Sequence, residues 1–229
     1  MRGTAKLPIH RLKKSELVWL GTHNCKEHSH SYLSHYNCYL KDNPVDSPMH
    51  ERVGVFDIET TGLKANWSHL LCWCLRDQNN GIIREDLITR TEARDKDDKR
   101  IVQSAVNEIM RFDRTMGWYS SRFDMPYVRS RAIYHNIEFP GYKEHNHTDL
   151  YYIARSKLAL HSNRLGSVCQ FFGITAKNHP MTPDLWQRAG SGNEEALKEI
   201  LIHCQEDVDS TAKVYDLLKK YTAGVKRSI

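Results

Sequence analysis

Asp57 and Glu59 stand two residues apart in the string Phe56-Asp57-Ile58-Glu59-Thr60-Thr61-Gly62-Leu63. In an extended strand, residues i and i+2 share a face, so the two carboxylates crowd each other with like charge. A hard divalent cation bound through oxygen relieves that crowding. A third carboxylate, Asp124, closes the segment Gly117-Trp118-Tyr119-Ser120-Ser121-Arg122-Phe123-Asp124-Met125-Pro126-Tyr127 at an expected strand-to-helix junction. Pro126 suits a helix's first turn, where a missing N–H costs nothing, and Asp124 also reads as a helix N-cap. A fourth carboxylate lies in His203-Cys204-Gln205-Glu206-Asp207-Val208. His203 and Asp207 are four apart and share a helix face. Cys204 is expected to point away from that stripe. Singly, these features read as a strand end, a cap and a solvated helix face. In this order and on these element types, they read together as a divalent-cation site with an imidazole beside it.

A second cluster has softer ligands. Cys25-x2-His28-x-His30-x4-His35-x2-Cys38 offers five donors, of which four could hold a tetrahedral Zn²⁺. His23 is a weaker candidate. The competing reading is a His-rich polar surface segment. A zinc clip is favoured because residues 1–50 otherwise lack the apolar content to fold alone. Pro44 and Pro48 with their polar neighbours read as a linker, which gives a Cys/His-rich extension over 1–50 and a main domain over 51–229.

The elements that must carry the carboxylates follow from periodicity. Val53 to Phe56, His69 to Arg76 and Gly81 to Ile88 predict a three-stranded meander. Apolar residues at helical spacing predict a helix over 97–112, and a short strand is expected over 116–119. Further helices are expected over 124–135, 149–160 and 163–172, the last stopping at Gly173. A short helix is predicted from Thr182, and a long amphipathic one over 194–221. Trp73, Trp118 and Trp186 read as core, as do Cys72, Cys74 and Cys169.

Composition sets the broad class. The 229 residues are 40% hydrophobic and 27% charged, with a mean hydropathy of −0.63. That excludes a disordered tail, and no run approaches the roughly 18 apolar residues of a spanning helix. The net charge is +5. Basic residues crowd both ends: Arg2, Lys6, Arg11, Lys13 and Lys14 at one, Lys219, Lys220, Lys226 and Arg227 at the other. Basic ends permit a polyanionic partner, and no membrane association is expected. Six cysteines are too few for a disulfide scaffold. With no secretory leader near Met1, an intracellular, reducing compartment is expected, cytoplasm or nucleoid.

The three acidic blocks resemble the exonuclease motifs of the DEDD superfamily of 3′→5′ exonucleases, and the second is similar to that of proofreading domains in family B DNA polymerases. The resemblance covers about residues 52–221. It implies an α/β fold, a ribonuclease H-like mixed sheet flanked by helices, preceded here by the zinc-binding extension. It implies two Mg²⁺ or Mn²⁺ ions held by Asp57, Glu59, Asp124 and Asp207, with His203 orienting or deprotonating a water. It also implies contacts from Thr60, Thr61 and Leu63 to a terminal nucleotide. Tyr119, Arg122 and Tyr127 are further candidates for substrate contact, and Arg129 and Arg131 for the strand path. Two departures stand out. Tyr119 occupies a place where the family often has Asn, and His203 stands four residues before Asp207, where one subtype has Tyr and another has His five before. The expected partner is single-stranded or 3′-ended nucleic acid, with a protein partner in replication, repair or RNA processing also open. DNA and RNA remain undistinguished. A structure-dependent endonuclease and a catalytically silent nucleic-acid-binding protein remain as alternatives.

Overall fold

The carboxylate-bearing strand is longer than its apolar run. In a computed structural model, β1 spans Val53–Thr60 and carries Asp57 and Glu59 within it. The structure describes residues 12, 14–42, 51–141, 144–175, 181–221 and 227–228. The basic residues Arg2, Lys6, Arg11, Lys13 and Lys226 and the linker around Pro44 and Pro48 lie outside them. The chain divides into two compact units, Met1–Glu51 and Arg52–Ile229.

In the larger unit, β1 pairs antiparallel with β2 (Leu70–Asp77), which pairs antiparallel with β3 (Ile83–Leu87). The predicted meander is therefore present. On its other side β1 runs parallel to β4 (Arg114–Gly117), and β4 parallel to β5 (Asn146–Asp149). A two-residue strand β6 (Arg227–Ser228) pairs antiparallel with β5, giving the order β3-β2-β1-β4-β5-β6. The parallel connections are made through α3 (Arg90–Asp95), α4 (Lys99–Ile109) and α5 (Asp124–Tyr134). Then come α6 (Leu150–Lys157), α7 (Leu165–Phe171), α8 (Pro183–Gly190) and α9 (Glu194–Leu218), which ends in a 3₁₀ turn, Lys219–Tyr221.

Strand alternation sets which helix covers which face. Asp57 stands opposite Cys74 and Glu59 opposite Cys72 across the β1–β2 pair, so all four share a face. α9 packs there, its buried stripe being Leu197, Ile200, Cys204, Val208 and Ala212. Trp73 points to the opposite face, where its Nε1–H donates to Ser104 of α4 at 2.9 Å. The sheet is thus sandwiched, with Trp73 and the three predicted cysteines buried. Trp118 and Trp186 pack against the core partly buried. The β1–β2 register shifts between Glu59 and Thr60, next to the acidic pair, as bulges near functional sites do.

Two elements escape the periodicity. α3 is polar and short, yet Thr89 and Glu92 form a reciprocal capping box at its start. β5 was not anticipated at all, and the helix expected over 149–160 is α6, which begins one residue after the strand ends. β5 is a polar strand whose burial is met by hydrogen bonds, with Thr115 Oγ1 lying 2.9 Å from both His145 Nε2 and His147 Nδ1. Ser120 Oγ continues this network, 2.7 Å from His147 Nε2.

A buried ionic knot ties β2, α4 and α5 together. Asp98, fully buried, accepts from the Leu70 N–H at 2.8 Å and from Arg131 Nη2 at 2.6 Å, and lies 2.6 Å from His135 Nε2. Burial alone would raise its pKa, but Arg131, the Leu70 amide and His135 outweigh it and hold the carboxyl below its ordinary value. Arg131, expected on the strand path, is therefore buried in structure instead.

The smaller unit has two helices among its described residues, α1 (Lys14–Thr22) and α2 (Tyr36–Asp42). Contrary to the expectation that it lacks apolar content, it has a core of Leu20, Cys25, Tyr32, Tyr36, Cys38 and Tyr39. Tyr36 stacks on Tyr39 at 5.7 Å, and Tyr32 meets Tyr39 edge-on at 5.4 Å.

Removing Asp98 leaves a buried guanidinium unpaired. Asp98→Ala should lower the unfolding free energy by about 3–5 kcal/mol, measured by urea denaturation, with Asp98→Asn recovering part of the loss through the Leu70 amide.

Candidate active site

Packing α9 on β1 brings Glu59, His203 and Asp207 together. One ligand atom from each lies within 4.8 Å of the others. His203 Nε2 is 3.7 Å from Glu59 Oε1 and 3.8 Å from Asp207 Oδ2. The three side chains are mostly shielded but open to solvent. Two carboxylate oxygens and an imidazole nitrogen at this spacing form a donor set suited to a divalent ion.

Asp57 and Asp124 lie outside this trio. Asp57, opposite Cys74 on β1, faces Cys204: the thiol Sγ is 3.4 Å from Asp57 Oδ2 and 3.5 Å from its carbonyl oxygen. Burial drives the Cys204 thiol well above its ordinary pKa, so it keeps its proton and donates it to Asp57. Cys204 therefore lies off the His203–Asp207 stripe and still reaches the site through Asp57. It sits at the border between α9's buried stripe and the His203–Asp207 edge.

Asp124 opens α5 rather than capping it: Phe123 is the N-cap residue. Its carboxylate is 3% exposed and accepts from the Ile58 N–H of β1 at 3.1 Å. Burial pushes its pKa up to about 7, and the charges of Asp149 and Asp207 add to the rise, against the pull of backbone N–H groups. Ile58 lies between Asp57 and Glu59, so one hydrogen bond fixes Asp124 against the acidic pair.

The turn before α5 is built for close approach. A Cβ on Gly117 would come within 2.6 Å of Ser120 Oγ and 2.7 Å of Phe56 O, so only glycine fits. Tyr119 has φ +60°, a region where Asn is enriched and aromatics are rare. Asp149 holds the turn there, accepting from the Tyr119 N–H at 3.0 Å, the Ser121 N–H at 2.9 Å and the Ser121 hydroxyl at 2.6 Å. The Tyr119 ring packs edge-on against Tyr151, partly exposed. At this position the chain presents an aromatic face rather than a carboxamide. Sequence reasoning missed the clamp by Asp149, because the residue reads equally well as a helix start.

The other candidates separate by exposure. Leu63 is exposed, and Arg122 is exposed with its Nε–H donating to Tyr152 at 3.2 Å. Thr60 is buried and donates to Gly62 O at 2.8 Å, while Thr61 is half-buried against His69. Tyr127, expected at the substrate, is 3% exposed with its hydroxyl 2.8 Å from Ser68 Oγ, so it supports the loop after β1 from inside. Arg129 lies over the Phe139 ring.

In the smaller unit, Cys25, His28, His35 and Cys38 converge, while His30 is exposed and outside the group. Sγ to Nδ1 distances are 3.9 and 3.8 Å from Cys25 to His28 and His35, and 3.5 and 3.3 Å from Cys38 to the same pair. Zinc bond lengths of about 2.3 Å to S and 2.0–2.1 Å to N at the tetrahedral angle separate S from N by about 3.5 Å. The spacing therefore fits a zinc tetrahedron. A tight turn with Ser29 at φ +54° brings Cys25 and His28 together, and the start of α2 brings His35 and Cys38. His35 beside it holds the Cys25 thiol down to about 6, against the effect of burial.

Asp124 sets a test of the larger site. Its folded-state pKa lies above the ordinary 3.8. Its contribution to stability is therefore complete below about pH 4 and lost as pH rises through about 7. Metal-free Asp124→Asn, which avoids the buried charge, should match the wild type below about pH 4 and exceed it by roughly 4 kcal/mol at pH 8. Added Mn²⁺ should raise the melting temperature of the wild type far more than that of the variant, read by differential scanning calorimetry.

The sequence profile of the RNase H superfamily matches residues 55–219, a span that holds all four carboxylates and His203. Among solved structures, the chain is similar to the family B DNA polymerase from the hyperthermophilic archaeon Pyrobaculum calidifontis. The TM-score is 0.61 and the identity 19%, over 75% of this chain and 25% of the polymerase. The chain thus spans about a quarter of that polymerase's length, and the likeness is one of fold. No curated protein matches the sequence. Among the described residues, no helix is long and apolar enough to cross a membrane. The mixed sheet between helices is the ribonuclease H-like fold expected from the motifs, and the chain belongs to the RNase H superfamily.

Proposed function

We propose that the chain is a 3′→5′ exonuclease that hydrolyses DNA or RNA with two Mg²⁺ or Mn²⁺ ions. The observation that carries this reading is the meeting of Glu59 from β1 with His203 and Asp207 from α9, beside Asp57 and Asp124. Superfamily membership supports a nuclease, and the hard oxygen donors support the choice of ions. When bound, the ions activate a water and stabilise the leaving 3′ oxygen. Asp57, held in place by the Cys204 thiol, would be a ligand to the ions. Glu59 and Asp207 would hold metal beside the attacking water, and Asp124 would supply a further carboxylate ligand. His203 sits within reach of both Glu59 and Asp207, where its imidazole orients the water or takes its proton near neutral pH. Leu63 packs on the terminal base, Thr60 and Thr61 shape the turn beneath it, and Tyr119 and Arg122 face the strand.

In this reading the partner is single-stranded or 3′-ended nucleic acid, and the likeness to a polymerase is compatible with a role in replication or repair beside another protein. Cys25, His28, His35 and Cys38 hold a structural Zn²⁺. None of the six buried cysteines forms a disulfide, which suits a reducing, intracellular setting.

Incubation of 5′-labelled single-stranded DNA and RNA with Mg²⁺, Mn²⁺ or EDTA should give a metal-dependent ladder. Asp57→Ala should slow it by at least about a hundredfold, the upper range for residues one shell further out. Internal fragments would point to an endonuclease instead, and binding without product to a silent nucleic-acid-binding protein. Binding should weaken as salt rises.

Elemental analysis of the purified chain should find one zinc per molecule. Cys38→Ser and His28→Ala should lose it, along with helical signal from the smaller unit, whereas His30→Ala should keep it. Retention of zinc in Cys38→Ser would remove this site.

A further inference from the structure

Trp67 is 87% exposed and Leu63 is 78% exposed, both in the loop that leaves β1 immediately after the acidic pair. Tryptophan is among the most buried residue types on average, so a ring standing almost wholly in water calls for a reason. Fraying does not supply one, because this loop is tied at nearly every step. Thr60 Oγ1–H donates to Gly62 O at 2.8 Å. Ser68 Oγ lies 2.9 Å from Gly62 O and 2.7 Å from Lys64 O, and so has no second proton for Tyr127, whose hydroxyl donates to it. The Trp67 N–H donates to Lys64 O at 2.9 Å and the Ser68 N–H to the same oxygen at 3.1 Å. Arg131 Nη1–H donates to Ala65 O at 3.1 Å. Thr61 and His69 close the base, the Thr61 N–H donating to His69 O and the His69 N–H to Thr61 Oγ1, each at 3.1 Å. The backbone is committed while the two largest apolar side chains are held outward. The ordering cost of a binding surface is then met on folding rather than on association.

The chemistry of the patch narrows its occupant. Two side chains offer a few hundred Å² at most, against about 800 Å² per partner for a stable protein interface. Lys64 and Asn66, both exposed, flank the apolar pair with a cation and an amide. A π face with a neighbouring ammonium is the combination that takes up unpaired bases and their phosphates. The patch also continues the strand that bears Asp57 and Glu59.

We propose that Trp67 is a stacking platform for an unpaired base of single-stranded nucleic acid, one nucleotide removed from the terminal base against Leu63. This rests on the exonuclease reading of the site. The base must be unpaired, because a duplex buries both of its faces in the stack. The platform therefore selects frayed or single-stranded ends.

Two substrates separate the platform from the chemistry. One is a 5′-labelled oligothymidylate. The other is the p-nitrophenyl ester of thymidine 5′-monophosphate, which supplies a terminal nucleotide but no second base. Trp67→Ala should lower the ratio of kcat/KM for the oligonucleotide to that for the ester on the order of tenfold, through KM, and Trp67→Phe should recover most of it. An abasic residue at the penultimate position should cost the wild type a similar factor and cost Trp67→Ala little. An unchanged ratio, or an equal effect of the abasic residue on both proteins, would overturn the proposal. If the wild type hydrolyses neither substrate, the exonuclease reading fails, and oligothymidylate binding by fluorescence anisotropy then decides. Tenfold weaker binding by Trp67→Ala supports the platform, and equal binding removes it.

Discussion

Charges of one sign, gathered where water is scarce, are the constraint around which this fold is arranged. Closing α9 on β1 buries an apolar stripe and in doing so carries Asp207 to Glu59, while α5 delivers Asp124 behind the same strand. In a low-dielectric crevice such charges repel far more strongly than in water. The protein answers with groups that can share or neutralise the charge: an imidazole between two carboxylates, a thiol proton turned to Asp57, an amide given to Asp124. Hydrophobic packing thus assembles the site, and the site's electrostatics oppose that packing.

The second consequence of this arrangement is rigidity around the pocket rather than within it. Asp149 uses its oxygens to hold one turn in a left-handed conformation, and His147 of β5 joins Thr115 to Ser120 behind it. On the other flank, Tyr127 and Ser68 support the loop that follows β1. Both networks fix the backbone from which exposed side chains such as Tyr119, Leu63 and Trp67 project.

The acidic motifs, their strands and the long helix were legible because each combines an apolar pattern with a fixed charge position. The meander was legible for the same reason. What escaped was structure made of polar residues. β5 pairs Asn146 to Asp149 in a sheet interior through side-chain hydrogen bonds, which leave no trace in hydropathy. α3 announces itself only through its capping box. Tyr127 and Arg131 share a helix with Asp124, and proximity in sequence suggested the substrate path, but the packed face of α5 takes them inward. Cys204 shows the limit of a helical wheel, which divides a helix into inside and outside, whereas this site lies on the seam between them. Among the five soft ligands, spacing alone left His30 eligible, and only the turn at Ser29 sets it aside.

The site also has an order of assembly. Asp57 and Glu59 leave the ribosome early, Asp124 at mid-chain, and His203 and Asp207 only with α9. Contacts between residues so distant in sequence form late in folding, since the intervening loop must be closed first. A nascent chain halted anywhere before α9 lacks His203 and Asp207, so Glu59 has neither of its two partners from the helix. The crevice is therefore complete only once the last long helix docks.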